Sequence, residues 1–302
     1  MKNLLLAMAA IVGFIGVSTS AQAAQKYAAD CPNGGTVRFG VEPFEAAAKL
    51  VPIYGKIGDL ISQRLGCKVQ VYITTSYSSE IEAMRAGKLE VGEFGALAYV
   101  LAHQVAHVDA VAAFGNKQEK PAFYTASIVT WPGSGIHDLQ QLKGQSFAYS
   151  DPTSTSGHLF PAFALESHGI DPNTGVKAVY GGNHTATFMA ILNHKVKAGE
   201  LSSEQVDAAK AAGIYNAKDF VELWRSKPIP WDAITVRPSL KPEFKARLIH
   251  ILQTLDLSSL SAADLNVISS EGAHLVPQSD AAYNNIRALV KVLNINLKAL
   301  NS

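Results

Sequence analysis

Residues 151–170 read DPTSTSGHLFPAFALESHGI, and they follow directly on SFAYS at 146–150. SFAYS is a short β-forming run, and the apolar residues after Gly157 have helical character. A strand, a tight turn and a helix in that order point to an α/β sheet. The chemistry of the turn is unusual, because Ser154, Thr155 and Ser156 place three hydroxyls in a row, with Gly157 next. One hydroxyl suffices to cap a helix. A helix start also presents unpaired N–H groups and a partial positive charge, which together can hold an oxyanion. Spacing alone leaves both readings open, a plain cap and an anion seat. Gly157 is expected to lack a side chain so that an anion can approach closely. Pro161 inside the apolar run predicts that regular helix begins a few residues beyond Ser156.

The same alternation extends outward in both directions. TVRFGV (36–41), CKVQVYI (67–73) and LEVGEFG (89–95) read as strands, with helical spacing over 45–65 and 76–87 and again through ALAYVLAHQ. Ser78 or Ser79 is expected to cap the 76–87 helix, and Gly87 to stop it. VDAVAAF and FYTASIVTW are further strands. From 136 the pattern restarts, with HDLQQLKG a short helix and VKAVYGG, VKAGEL and FVELWRS strands; HTATFMAILNH and SEQVDAAKAAG are the helices between them. AITVRPSL (233–240) returns to strand, and PEFKARLIHILQTL and DAAYNNIRALVKVLNI form a helical tail. Strands alternating with helices predict mostly parallel sheets with helices on both faces. Two rounds of the pattern predict two α/β lobes with a ligand cleft between them. Residues 24–125 and 237–302 would form one lobe and 126–236 the other, with crossovers near Thr125–Thr130 and Ala233–Val236. Ligands in such folds sit beyond the carboxyl ends of strands, where loops meet helix N-termini.

The chain opens MKNLLLAMAAIVGFIGVSTSAQAAQ. One basic residue, an apolar run from Leu4 to Val17 and Ala21-Gln22-Ala23 as a cleavage pattern read as a signal peptide over 1–23. The apolar run is shorter than the roughly 20 residues of a membrane span, and an exported protein without direct membrane insertion is expected. Removing Lys2 leaves 25 of the 26 basic residues against 25 acidic ones, a net charge of zero. That balance provides no electrostatic footprint for nucleic acid or an anionic membrane. Any anion must be held by local geometry. Cys31 and Cys67 are the two cysteines; an even count in an oxidising compartment favours a disulfide over two buried thiols.

Three more candidates sit at element ends. Gly181-Gly182-Asn183 precede His184 at a helix start, Tyr77 opens another helix, and Tyr124 heads a strand. Taken singly, such residues more often pack a core or occupy a turn. Together, RFGVEP, TSYSSEIEAMRAGKLEVGEFG, DPTSTSG followed by LFP, GGNHTATFMAILN and PIPWDAITVRPSL resemble, in order and spacing, the periplasmic phosphonate- and phosphite-binding proteins of ABC importers. The resemblance runs from about Val37 to Ser258, and the hydroxyl motif followed about thirty residues later by His184 is its most specific part.

The resemblance implies a two-lobed binding-protein fold, a soluble periplasmic monomer that delivers its ligand to a membrane permease, and no catalysis, cofactor or metal. It implies that Tyr77, Tyr124, Ser154, Thr155, Ser156 and His184 meet phosphonate oxygens. In members that bind aminophosphonates, two carboxylates meet the ligand ammonium, and the matching positions are Glu204 and Asp232. A short aminophosphonate such as 2-aminoethylphosphonate is therefore expected, with phosphite or a simple alkylphosphonate as the alternative. The expected mechanism is closure of the two lobes on the ligand. The chain departs from the family at Ser76, often Asp; at Glu93, commonly a bulky aromatic; at Trp231, usually small or polar; and at Lys197, frequently acidic. These departures bear on ligand identity more than on class.

The donor set suits a phosphonate dianion, which offers acceptors only, since hydroxyls, helix N–H groups and an imidazole all donate. Other readings carry less. Gly133-Ser134-Gly135 lacks the G-x-S-x-G elbow of a hydrolase, and no HExxH or P-loop pattern occurs. His103 and His107 are four apart and could share a helix face, but a zinc site needs further ligands; an exposed helix end is expected there. A sensor or adhesin-like protein could use the same fold.

Overall fold

The computed structural model describes residues 29–269 and 272–293. The leader read over 1–23 lies outside the described residues. Near the start of the described residues, Cys31 is disulfide-bonded to Cys67 with Cα atoms 5.7 Å apart. In chain order it forms β1 (Thr36–Val41), α1 (Ala47–Leu65), β2 (Lys68–Ile73), α2 (Tyr77–Arg85), β3 (Val91–Phe94), α3 (Ala96–Ala106) and β4 (Asp109–Phe114). Periodicity accounts for these elements. Helix α1 buries Leu50, Ile53, Tyr54, Ile57, Ile61 and Leu65, spaced by three and four, and stops at Gly66 with φ 72°. Helix α2 is capped by Ser76, not by Ser78 or Ser79; the Ser76 and Ser79 side chains exchange bonds with each other's backbone N–H groups. The capping-box geometry selects the residue three positions before the reciprocating side chain.

The second round comprises β5 (Phe123–Tyr124), β6 (Ala126–Thr130), β7 (Ser146–Tyr149), α4 (Phe160–Ser167), β8 (Lys177–Tyr180), α5 (His184–Leu192), β9 (Ala198–Ser202), α6 (Ser203–Ala211) and β10 (Val221–Arg225). The chain returns through β11 (Ile229–Pro230), β12 (Ala233–Val236), α7 (Pro242–Leu252), α8 (Ala262–Ile268), β13 (Leu275–Pro277) and α9 (Asn284–Val292). The run FYTASIVTW, read as one strand, is broken at Thr125. Residues 155–159 form a single wide π turn, after which α4 begins at Phe160 next to Pro161.

Among the described residues the strands form a six-stranded sheet in the order β13-β4-β12-β3-β1-β2 and a five-stranded sheet in the order β10-β6-β9-β7-β8. The expectation of mostly parallel sheets needs correction. Strands β2, β1 and β3 pair in parallel, as do β8, β7 and β9, but β12 is antiparallel to both β3 and β4, and β6 to both β9 and β10. Strands β6 and β12 are the first to enter each sheet after a crossover, so they arrive without the helical connection that sets a parallel neighbour. Residues 233–236 were expected in the second lobe; they form β12, whose partners place them in the first sheet. The two crossing segments run side by side, as β5 pairs antiparallel with β11. The architecture is a two-lobed α/β fold with a double connection. No helix among the described residues is long and apolar enough to cross a membrane.

Candidate ligand-binding site

The two sheets turn the carboxyl ends of their parallel strands toward a common narrow cleft, with a cavity volume of about 20 Å³. The eight residues singled out in the sequence all line it: Tyr77, Tyr124, Ser154, Thr155, Ser156, His184, Glu204 and Asp232. Tyr77 is the first residue of α2, and His184 the first of α5, behind an Asn183 cap. Glu204 lies in the first turn of α6, after Ser202 caps it. Tyr124 comes from β5 and Asp232 from the residue before β12. The sites therefore stand at helix starts and strand ends, as the topology requires.

Two side chains of the hydroxyl turn accept backbone protons. Ser154 Oγ accepts the Gly157 N–H at 3.0 Å, and Thr155 Oγ1 accepts the Leu97 N–H at 2.8 Å from the first turn of α3. A hydroxyl with one acceptor site filled by an amide keeps its own proton to donate. Gly157 serves a different purpose from the one expected. A Cβ there would stand 1.7 Å from Ser150 Oγ and 2.7 Å from Ser150 Cβ, so the glycine lets the turn lie against the end of β7 rather than admitting a ligand. Ser150 N–H bonds Gly157 O at 3.1 Å in the same contact.

His184 is oriented by Glu200 of β9, with Nδ1 2.9 Å from Oε1. Burial alone would lower the imidazole pKa, but the charge and hydrogen bond of Glu200, helped by Glu204 and Glu45, raise it to about 9. The ring is thus an imidazolium at neutral pH, with Nδ1–H on Glu200 and Nε2–H left to donate. Burial holds Tyr77 and Tyr124 well above the usual phenol range, so both keep their protons.

The cleft is also rich in carboxylates. Glu42, Glu45, Glu204 and Asp232 line it, and among the described residues no Lys or Arg does. Burial raises Asp232 to about 6, and burial with the neighbouring Asp232 raises Glu204 well above the carboxylate range. Glu45 is occupied: it accepts from Lys49 Nζ at 2.9 Å and from Thr185 Oγ1. Glu204 and Asp232 accept no hydrogen bond from the described residues.

Glu42 and Glu45, on the loop after β1, were not singled out in the sequence, although their place at a strand's carboxyl end was a usable signal. Glu200, inside a fully buried strand, and Val267, brought to the cleft by α8, carried no such signal. None of the four departures is among the residues that line the cleft. Glu93 is buried and accepts from Tyr54 Oη at 2.6 Å, while Lys197 donates to Ser134 O at 3.1 Å and lies over Trp131. Trp231 packs edge-on against Tyr124 with ring centroids 5.6 Å apart, so it braces a lining residue from behind. Ser76 is the α2 cap. His103 and His107 do not come together as ligands: His107 ends α3 in the left-handed region, while His103 Nδ1 bonds Val108 O at 2.8 Å. Nearby Asp280 is taken up by Tyr99 and Arg287.

The lobes meet across the cleft. Besides the Leu97–Thr155 bond, His184 N–H donates to Phe44 O at 3.0 Å, and Leu159 and Phe160 pack into the apolar core of the first lobe.

A family model described as the periplasmic substrate-binding protein of phosphonate ABC transporters matches residues 39–283. The chain belongs to this family. Its members are solute-binding proteins of ABC importers, not enzymes. Among curated relatives, the phosphate-import protein PhnD of Mycolicibacterium smegmatis is 23% identical over 274 residues, covering 85% of each chain. The phosphonates-binding periplasmic protein of Escherichia coli is 25% identical over 216 residues, covering 70% of this chain and 64% of that one. PhnD1 of Prochlorococcus marinus, solved in complex with methylphosphonate, superposes with a TM-score of 0.75 at 19% identity, covering 87% of this chain and 99% of that chain. That likeness shows the fold.

Proposed function

We propose that this binding protein carries a short aminophosphonate, such as 2-aminoethylphosphonate, to the membrane permease of an ABC importer. The phosphonate sits on Tyr77, Tyr124, Ser154, Thr155, Ser156 and His184, and the ammonium faces Glu204 and Asp232. The protein works as a monomer whose lobes, 24–125 with 233–302 and 126–232, close on the ligand. One observation carries the reading. A cradle of neutral donors and one imidazolium stands beside half-buried carboxylates that accept nothing from the described residues. Ionised, those carboxylates would repel a plain anion, whereas the ammonium of a zwitterion would hold them ionised and satisfy both ends. Hydrogen bonds to a charged group contribute about 1.5–3 kcal/mol each, so five suffice for micromolar binding, roughly 8 kcal/mol.

Calorimetric titration with 2-aminoethylphosphonate, methylphosphonate, phosphite and phosphate tests the reading, the last because a relative is named for phosphate import. The aminophosphonate should bind most tightly. Tighter binding of any of the other three would overturn the ammonium assignment.

A further inference from the structure

A primary ammonium carries three N–H donors. Glu204 and Asp232 offer it carboxylates from two elements, which leaves one donor to be met. In a cleft closed to water an unmet donor is costly. The structure supplies a third acceptor from an element that the family resemblance did not bring forward.

Glu42 follows β1 and is 1% exposed. Its Oε2 accepts the Gly95 N–H at 2.9 Å, while Oε1 has no hydrogen-bond partner among the described residues. The residue lines the cleft. A methyl-sized atom on Gly95 Cα would lie 3.2 Å from Glu42 Oε2, 3.7 Å from Thr155 Oγ1 and 3.8 Å from Asp232 Oδ1. Oxygens from the β1 loop, the hydroxyl turn and the β12 approach thus converge over Gly95, a lining residue without a side chain. Thr155 is in the phosphonate cradle, so this point is where the two ends of a short zwitterion would meet the protein. Glu45, the other carboxylate of the loop, is already held by Lys49 and Thr185.

We propose that Glu42 is the third carboxylate of the ammonium subsite, so that Glu42, Glu204 and Asp232 each take one N–H of a primary ammonium and together select it over N-alkylated or amine-free phosphonates. This rests on the aminophosphonate reading above. Burial and the neighbouring Glu80 and Asp232 push the Glu42 carboxyl well above its usual range, in keeping with a group that a bound cation would hold ionised.

The substitution Glu42→Gln is nearly isosteric and keeps an oxygen for the Gly95 N–H, so it removes charge without removing the backbone contact. In wild-type protein, 2-aminoethylphosphonate should bind at least tenfold more tightly than its N-methyl derivative, because the first methyl replaces an N–H that has an acceptor. In E42Q the ratio of 2-aminoethylphosphonate to methylphosphonate affinity should fall at least tenfold, with the N-methyl penalty reduced. Glu80→Gln, a buried glutamate outside the cleft lining, should move both ratios less than threefold. Wild-type protein that takes the N-methyl derivative within threefold of the parent overturns the proposal without any variant. So does E42Q with unchanged ratios, or E80Q with shifts as large as those of E42Q. Wild-type preference for methylphosphonate would instead overturn the ammonium reading itself, and Glu42's role with it.

Discussion

Ser154 and Ser156 flank Thr155 in the same turn, yet the structure assigns them separable energies. Ser154 Oγ caps the buried Gly157 N–H, so Ser154→Ala forfeits a cap of about 1 kcal/mol. For a chain of this size that lowers the melting temperature by about 2–4 °C. It also removes one donor to a charged ligand, about 1.5–3 kcal/mol, or roughly a 10- to 150-fold loss in affinity. Ser156 is equally buried but caps no backbone N–H in the hydrogen-bond network. Ser156→Ala should therefore show the affinity loss with a melting temperature within about 1 °C of wild type. Calorimetry with 2-aminoethylphosphonate and thermal unfolding of the ligand-free variants separate the two. Ser156→Ala with affinity within threefold of wild type would refute the idea that the hydroxyl row is an anion seat. Ser154→Ala without any loss of stability would refute the division of labour between the two serines.

Gly157→Ala should cost about 1–3 kcal/mol by overpacking, because its Cβ would fall on Ser150; adding Ser150→Gly should restore the melting temperature if that contact is the cause. The His184 pKa is raised from 6.5 to about 9 in the fold. Its contribution, on the order of 3 kcal/mol, is therefore fully present below pH 6.5 and is lost as pH rises through about 9. Thermal melts of the ligand-free protein should show a decline over that window, and the His184→Gln/Glu200→Gln variant should flatten it; an identical decline in both would remove His184 as its source. Reducing the Cys31–Cys67 bridge opens a loop with a sequence separation of 36, worth about 4 kcal/mol by the chain-entropy model. A denaturation midpoint unmoved by reductant, with thiol titration confirming reduction, would contradict that figure.

Much of the fold was legible because the apolar spacing in this chain is regular. Helix α1, with its buried stripe and Gly66 stop, and the strands β1 and β7 each bury a local pattern, and β2 alternates exposed and half-buried residues. The hydroxyl turn and His184 were legible for a related reason: a strand end followed by a helix start is a local signal, and the unpaired amides there determine which side chains are useful. The gathering of the eight candidate residues around one cleft was implied by resemblance and is visible in the structure as strand ends facing one another.

What local pattern could not supply is whatever depends on residues far apart in sequence. The antiparallel entry of β6 and β12 follows from how the chain crosses between sheets, and no periodicity within either strand encodes it. Gly157 is glycine because of Ser150, a contact that exists only once the turn folds back on β7. The imidazolium character of His184 depends on a glutamate buried in a neighbouring strand, and the free oxygen of Glu42 on a glycine amide 53 positions away. Sequence alone set the elements and the class of chemistry, since hydrogen-bond donors and apolar stripes are properties of residues and their near neighbours. Which carboxylates line the cleft, and in which direction their titration is pushed, was decided by tertiary structure, since desolvation and charge proximity exist only after distant segments have packed together.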